Sequence, residues 1–412
     1  MIELDYDVSI IGGGPAGLAA ALSAKKNGAE KILILDRNSW FGGILSQCIH
    51  DGFGVEETGK SMTGPEYAEI YIESVKKEKI DLMKETMVLN LDKNKTIIAI
   101  NKKGIHKINS KSVILSMGCR EKTRWNIMVP GDRPSGIYTA GVAQAFVNLY
   151  NILPGKNVLI LGSGDVGLII ARRLKFEGVN VLGVVEILPY ASGLPRNVVQ
   201  CLDDYDIPLY LNHTVCYIKG NERLESVIIA QVDEDWNIIE SSKKEIKCDT
   251  LILSLGLIPE NELSKDIGIK IDKNTGGPIV NQFLETSVQN IFACGNCLQV
   301  YDTVDLLSSD AKIAGKYAAQ KEQSNKNEIF VQPGEGIRQI VPQVINKAGK
   351  IKFNIRVSKP YKSKTFYLKV DNKIIYKKKI NWANPANMIS FSAEINSVLL
   401  KSNKTMEALL DD

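Results

Sequence analysis

Histidine is scarce in this chain, with three residues in 412, at positions 50, 106 and 213. None stands in a metal-ligand spacing, which argues against a structural zinc or a histidine-rich metal centre. Seven cysteines (48, 119, 201, 216, 248, 294 and 297) are odd in number and widely scattered, a poor match to a secreted disulfide scaffold, so they read as reduced thiols. No uninterrupted apolar stretch approaches the ~18 residues of a membrane-spanning helix. Met1 opens almost directly into the apolar run Val8 to Ile11 without a signal-peptide pattern, so the expectation is a cytoplasmic protein with no membrane span. With metals and disulfides set aside, the chemistry is expected to come from elsewhere.

The length predicts two or three compact units at ~100–200 residues each, and 44% apolar content with 24% charge is that of a globular chain. The net charge of +4 hides an asymmetry. Residues 326–412 hold 16 Lys and Arg against 7 Asp and Glu, a net of +9, which leaves −5 on residues 1–325. The basic lysines are interspersed with strand-like apolar residues and carry no nucleic-acid motif, so they read as a solvated face and no nucleic-acid partner is expected.

Two glycine fingerprints organise the first 325 residues. An apolar strand runs from Asp7 into Gly12, Gly14, Pro15, Ala16 and Gly17, followed by a helix pattern over Leu18–Asn27 and a strand over Lys31–Asp36. A second strand from Asn157 runs into Gly162, Gly164, Asp165, Val166 and Gly167, followed by helix Leu168–Glu177 and strand Val179–Glu186. Gly12 to Asp36 and Gly162 to Glu186 are both 24 residues. One G-x-G-x-x-G is weak evidence; the whole succession of strand, fingerprint, helix, strand and terminal acid, found twice, is strong. Such glycines let the backbone approach a pyrophosphate at a helix N-terminus, and the acids accept hydrogen bonds from ribose hydroxyls. A carboxylate at Glu186 would repel a 2′-phosphate, which favours NAD over NADP.

A third signal is Thr286 to Phe292-Ala-Cys-Gly295-Asn296, followed by a helix pattern over Ser308–Gln320. Here the chain resembles the two-dinucleotide-binding-domain flavoproteins, whose second FAD motif ends in G-D; Asn296 replaces the Asp. The resemblance implies an FAD site that also takes in Arg37, Gly42, Gly43 and Gly118, with Gly256 at the return from the NAD domain. It implies that the start of the last helix lies near the flavin pyrimidine. The layout resembles the compact thioredoxin-reductase arrangement. The expected fold is α/β with two Rossmann-like domains: FAD-binding 1–120 and 259–325, an inserted NAD-binding domain 121–258, and a small β-rich unit 326–412 after a charged linker at 321–328. Alternating runs at 352–357, 365–370, 373–377 and 388–392, with Asp371-Asn372 between two of them, predict antiparallel strands in that unit.

The usual electron relay is missing. Against the thioredoxin-reductase pattern, Ala140 and Ala143 fall at the thiol positions, and against the lipoamide-dehydrogenase pattern Cys48 stands alone. Cys294-x-x-Cys297 overlaps the FAD motif. Gln47, Cys48 and His50 are the candidate catalytic residues beside the flavin, a proton carrier and a lone thiol among them, with ordinary packing and loop roles as the alternative. His106 and His213 read as surface residues. The segments around Gly118, Val129 and Gly136 resemble oxidoreductases related to opine oxidase, hydrogen cyanide synthase and the sarcosine oxidase large subunit, especially members associated with an FAD-dependent glycerol-3-phosphate dehydrogenase. The expected function is an FAD-dependent NADH oxidoreductase exchanging electrons with a second redox subunit. Three alternatives stand beside it: direct oxidation of an amino acid, opine or similar small-molecule amine, with Arg120 and Arg124 as the candidate clamp; an NADH oxidase; and a non-catalytic flavin-bound assembly subunit. The +9 unit is expected either to dock a partner or to cover an apolar face of the core.

Overall fold

The computed structural model describes residues 1–320, 328–371, 373–400 and 405–411; nearly all of the expected linker, 321–327, and the turn residue Asn372 lie outside the described residues. The chain forms two compact units, Met1–Cys119 with Pro259–Asp412, and Arg120–Ile258.

In the first unit the strands Ile2–Ile11, Ile32–Leu35, Gly104–Leu115 and Ile291–Ala293 run parallel, with Ile11 beside both Leu35 and Leu115, and Leu115 beside Ala293. Residues Val8, Ile10, Leu33, Ile34, Ile114 and Ile291 are wholly buried, as expected for strands covered on both faces, which therefore read as continuous apolar runs. Because the four strands end in register, Asp36, Gly12, Ser116 and Cys294 follow one another along a single carboxyl edge. The helices Pro15–Lys26 and Val304–Gln320 pack closely. A Cβ on Gly315 would come within 2.1 Å of Ala20 O, so this approach depends on a missing side chain.

The second unit repeats the plan. Strands Asn157–Leu161, Asn180–Val185, Thr250–Leu253, Ile137–Thr139 and Leu209–Tyr210 form one parallel sheet in which Leu161 lies beside Val185 and Leu253, and Leu253 beside Thr139. Helix Asp165–Phe176 follows the glycines, and an antiparallel trio, His213–Gly220, Leu224–Gln231 and Lys244–Lys247, completes the unit.

The C-terminal residues form two sheets. One has five strands, including Ile329–Pro333, Tyr361–Val370, Lys373–Ala383 and Met406–Asp411; the other joins Ile337–Val341, Gly349–Val357 and Ile389–Ile395. Phe366 of the first meets Phe391 of the second with ring centroids 4.8 Å apart, over a core of its own that also holds Phe353, Ile355 and Leu368. One pair, Ile329–Pro333 with Met406–Asp411, is parallel, so the five-stranded sheet is mixed while the three-stranded one is antiparallel, and the strands are longer than the alternating runs suggested.

Some expectations are corrected. Both fingerprint helices begin at the residue after the second glycine, where proline or a third glycine interrupts the apolar period, and the last helix begins at Val304 rather than near Ser308, taking in the apolar residues Val304, Leu306 and Leu307. His106 is not a surface residue: it is 2% exposed, with Nε2 3.0 Å from Asn101 Oδ1. His213 is half-buried, its Nδ1 2.7 Å from Leu211 O.

Candidate functional site

The two fingerprints are built alike down to single hydrogen bonds. In the first unit Gly12 N donates to Leu35 O at 2.8 Å, and Asp36 Oδ2 accepts from Gly13 N at 2.7 Å. In the second, Gly162 N donates to Val185 O at 2.7 Å, and Glu186 Oε2 accepts from Ser163 N at 3.0 Å. Both acids are buried, and burial of a carboxylate is tolerable here because backbone and hydroxyl donors surround it. Asp36 also accepts from Asn38 N, and Glu186 from Leu188 N, Ser163 Oγ and Ser192 Oγ. Each terminal acid thus holds its own glycine loop in shape. Arg37, next in sequence, is exposed.

A serine missed by the sequence reading closes each loop. A Cβ on Gly12 would lie 2.3 Å from Ser116 O and one on Gly162 2.1 Å from Ser254 O, both at positive φ, so these first glycines are fixed by the fold itself. Ser116 Oγ donates to Gly12 O at 2.9 Å, and Ser254 Oγ accepts from Gly167 N at 3.2 Å. The signal was present as a repeated Ser-x-Gly at the ends of the neighbouring strands, Ser116 to Gly118 and Ser254 to Gly256, where both glycines have positive φ.

The second glycines differ in kind. Gly14 (φ −75°) and Gly164 (φ −63°) have backbone that other residues adopt. A Cβ on Gly14 would meet only Gly43 Cα, at 3.9 Å. Nothing in the fold demands glycine there, and the free space beside a helix N-terminus with no acidic residue in its first turn fits an approaching phosphate. Asp165 sits in the first turn of the other helix, but its Oδ1 is engaged by Leu194 N at 2.7 Å and Asn197 Nδ2 at 2.6 Å.

Around Gly14 the first unit gathers most of its expected site. Gly42 N donates to Gly13 O at 2.8 Å, and a Cβ on Gly43 would sit 3.1 Å from Gly14 Cα. A Cβ on Gly295 would lie 2.6 Å from Ala16 Cβ, which brings the third motif against the first helix. Asn296 Oδ1 accepts from Tyr301 N at 3.1 Å, and its Nδ2 lies 3.5 Å from Cys119 Sγ. Gly118, of positive φ, accepts at O from Glu260 N at 3.0 Å. Gly162, Gly164, Val166, Gly167, Glu186 and Gly256 belong to the second unit.

The loop after Gly43 forms a short 3-10 turn, Gly43–Gln47. Gln47 is buried, Cys48 and His50 are half-buried, and the His50 ring lies 5.1 Å from that of Phe53. Burial pushes the Cys48 thiol up to about 12, so it is protonated at neutral pH and is no activated nucleophile. A further network was not legible in the sequence. Asp305, in the first turn of the last helix, accepts from Gly54 N at 3.2 Å and Glu57 N at 3.0 Å. Glu57 in turn accepts from Tyr67 and Tyr71 hydroxyls at 2.7 Å and pairs with Lys312. Burial works against the Glu57 carboxylate, but Lys312 and the two hydroxyls outweigh it and hold it below the ordinary value. Asp305 also places an acidic residue in the first turn of the last helix, at the positive end of its dipole.

Cys294 and Cys297 flank Gly295 and Asn296 in the third motif, and no disulfide joins any of the cysteines. All seven are free thiols. Ala140 and Ala143 are fully buried on helix Ala140–Asn148, which starts at the carboxyl edge of Ile137–Thr139. Cys294 and Cys297 are also fully buried, and Cys297 Sγ donates to Leu115 O at 3.2 Å. Arg124, a candidate substrate clamp, instead donates to the carbonyls of Val129, Gly131 and Asp132 and holds that loop. Among the described residues no group of three or more His, Cys, Asp or Glu is disposed to hold a metal ion, and no helix is long and apolar enough to cross a membrane.

Comparison with known proteins gives a match of residues 6–320 to the family model for pyridine nucleotide-disulphide oxidoreductases. Hydrogen cyanide synthase subunit HcnB of Pseudomonas protegens is 23% identical over 70% of this chain and 65% of its own length. An NADH dehydrogenase of Bacillus subtilis is 28% identical over 71% of this chain and 53% of its own. The chain therefore spans less than two thirds of either relative. Among solved structures, the thioredoxin reductase of T. acidophilum superposes with a TM-score of 0.63 at 23% identity, over 77% of this chain and 98% of that one, a likeness of fold.

Proposed function

The chain belongs to the pyridine nucleotide-disulphide oxidoreductase family, and from that premise we propose that it is an FAD-dependent NADH oxidoreductase that exchanges electrons with a second redox subunit instead of a thiol pair. The observation that carries this reading is the burial of the methyl groups of Ala140 and Ala143, which the resemblance puts at the two thiol positions, together with a Cys48 thiol that burial shifts away from the thiolate. A redox disulfide needs a nucleophilic thiolate with a resolving partner. HcnB is by name a subunit, which supports a partner; one oxidising glycerol 3-phosphate or an amine fits the sequence resemblance.

The residues present fit both nucleotides. Gly12, Gly14, Pro15, Ala16 and Gly17 would seat the FAD pyrophosphate at the N-terminus of Pro15–Lys26, with Asp36 on the adenosine ribose and Arg37 beside it. Gly42, Gly43, Gly118, Gly295 and Asn296 would line the remainder. Gly162, Gly164, Asp165, Val166 and Gly167, with Glu186 and Gly256, would seat NAD(H). When bound, FAD would take two electrons from NADH as a hydride and release them to the partner. The chain's own task is to hold both nucleotides by backbone N–H groups and ribose acceptors, and to keep a proton carrier, His50, on the loop beside Gln47 and Cys48. Glu186 favours NADH because a 2′-phosphate would meet its buried carboxylate.

The engaged guanidinium of Arg124 weakens the direct amine-oxidation reading, since it leaves Arg120 as the remaining member of that clamp. The test is to purify the native chain with whatever accompanies it and follow NADH-dependent electron flow. A co-purifying flavoprotein or dehydrogenase that is reduced by NADH only through this chain is the expected result. A chain that copurifies with none and is bleached by an amine alone would overturn it.

A further inference from the structure

The segment that leaves the third motif, residues 297–303, is short of secondary structure yet strongly held, and much of what holds it comes from more than 50 residues downstream. Arg356, on strand Gly349–Val357, sits 11% exposed in the ion pair it makes with the equally buried Asp302 at 3.3 Å. Its Nη2 also donates to Val300 O at 2.9 Å, and its Nη1 to Pro385 O at 2.9 Å and Ala386 O at 2.6 Å. Asp302 Oδ2 accepts in turn from Met388 N at 3.1 Å. One planar guanidinium thus spans two loops, a task its fixed fork of donors suits and a lysine ammonium does not.

Two and four strand residues earlier, on the same face of the strand, Asn354 and Lys352 reach the last helix. Asp310, 2% exposed, accepts from Lys352 Nζ at 2.7 Å, Asn354 Nδ2 at 2.5 Å and Tyr301 OH at 2.7 Å. Tyr301 N in turn donates to Asn296 Oδ1 at 3.1 Å. Gln339 Nε2, on the adjoining strand Ile337–Val341, donates to Gln299 Oε1 at 3.3 Å, and Gln299 Nε2 to Tyr301 OH at 3.1 Å. The Asn354 amide leaves its own Oδ1 buried without a hydrogen bond so that Nδ2 can face Asp310. The flipped amide would set oxygen against carboxylate, so this orientation is the favourable one, and a buried acceptor forgone marks how strongly Asp310 draws a donor.

We propose that Arg356, with Asn354 and Lys352, is a positioning residue for the flavin: through Val300, Asp302 and the Tyr301–Asp310 contact it sets the segment that presents Asn296 to the ribityl chain. The inference rests on the reading of Gly295–Asn296 as part of the FAD site. It makes the C-terminal strands part of the cofactor apparatus rather than an appendage, and it locates their influence at the segment between the third motif and the last helix. Arg356 does not touch the reacting atoms; it acts through the backbone that carries Asn296.

The test uses the full-length holoprotein and compares Arg356→Met, Arg356→Lys and Tyr301→Phe with wild type. The readouts are FAD dissociation constant, flavin midpoint potential and flavin circular dichroism. Arg356→Met is expected to weaken FAD binding tenfold or more and to shift both potential and dichroism, with Arg356→Lys restoring part of each. Tyr301→Phe removes one hydroxyl while Asp310 keeps its Lys352 and Asn354 donors, and is expected to change the flavin dichroism in the same sense; it decides the matter if Arg356→Met does not fold. Wild-type affinity, potential and dichroism in folded Arg356→Met, or in Tyr301→Phe where the former does not fold, would overturn the inference. A wild-type protein that binds no FAD would instead overturn the reading on which it rests.

Discussion

Alanine at Gly14 separates what the fold needs from what a bound nucleotide needs. The backbone at Gly14 is extended (φ −75°) and an added Cβ would meet nothing nearer than Gly43 Cα at 3.9 Å. In the protein without nucleotide two small effects oppose each other. Replacing glycine at a helix N-cap by alanine costs roughly 0.5–1 kcal/mol, while a stiffer unfolded chain returns about 0.4–1 kcal/mol. The stability of the apoprotein should therefore change by less than about 1 kcal/mol. With FAD present the methyl group would stand where the pyrophosphate must approach, and overpacking of that kind costs about 1–3 kcal/mol, or roughly 5- to 150-fold in affinity. The assay is a denaturant melt of apoprotein beside a fluorescence titration with FAD. Gly164→Ala is the matched control: its Cβ would lie 3.3 Å from Ser254 Oγ, and it should raise the KM for NADH while FAD content stays at wild type. Undiminished FAD affinity in Gly14→Ala would refute the reasoning, as would an apoprotein that no longer folds.

Glu186→Ala should narrow the preference for NADH over NADPH in stopped-flow reduction, and it should also loosen the loop that Glu186 Oε2 holds through Ser163 N; an unchanged ratio of the two nucleotides would contradict the assignment. Buried thiols give a pH dependence of definite sign. Burial raises Cys297 and Cys248 to about 12, against ~8.5 in an unfolded chain, so their contribution is complete below about pH 8.5 and is lost as pH rises toward 12. Urea midpoints should fall between about pH 8 and 10, less steeply in Cys248→Ala; equal slopes for both proteins would count against the effect. Deletion of residues 328–412 would uncover the buried Asp302 and Asp310 carboxylates, so it should cost FAD content or solubility; a well-behaved, NADH-reducible truncated protein with slowed electron transfer would restore the docking role.

The parallel sheets were legible because strands covered on both faces, such as Ile32–Leu35 and Thr250–Leu253, are written as unbroken apolar runs followed by glycine. The equal spacing to Asp36 and Glu186 likewise reported a local geometry, one loop and one strand apart. Contacts that close over long sequence separations left no such trace. Asp305 with Gly54, Asp310 with Lys352, and Arg356 with Asp302 join residues whose types are ordinary for exposed positions. His106 misled for a related reason: its neighbours Lys103, Lys107 and Asn109 are polar, but strand alternation turns His106 inward. The short strands Ile329–Pro333 and Met406–Asp411 escaped notice because each contains proline or a charged flank and only their pairing makes them strands.

The account's central claim, a flavin without a redox-active dithiol, is tested most directly by anaerobic titration of the purified protein with NADH. A flavin alone accepts one pair of electrons, and a flavin with a disulfide accepts two. Complete bleaching at one equivalent of NADH per flavin, unchanged in Cys48→Ser and in Cys294→Ser, is the predicted result. Uptake of a second equivalent that disappears in either variant would contradict it.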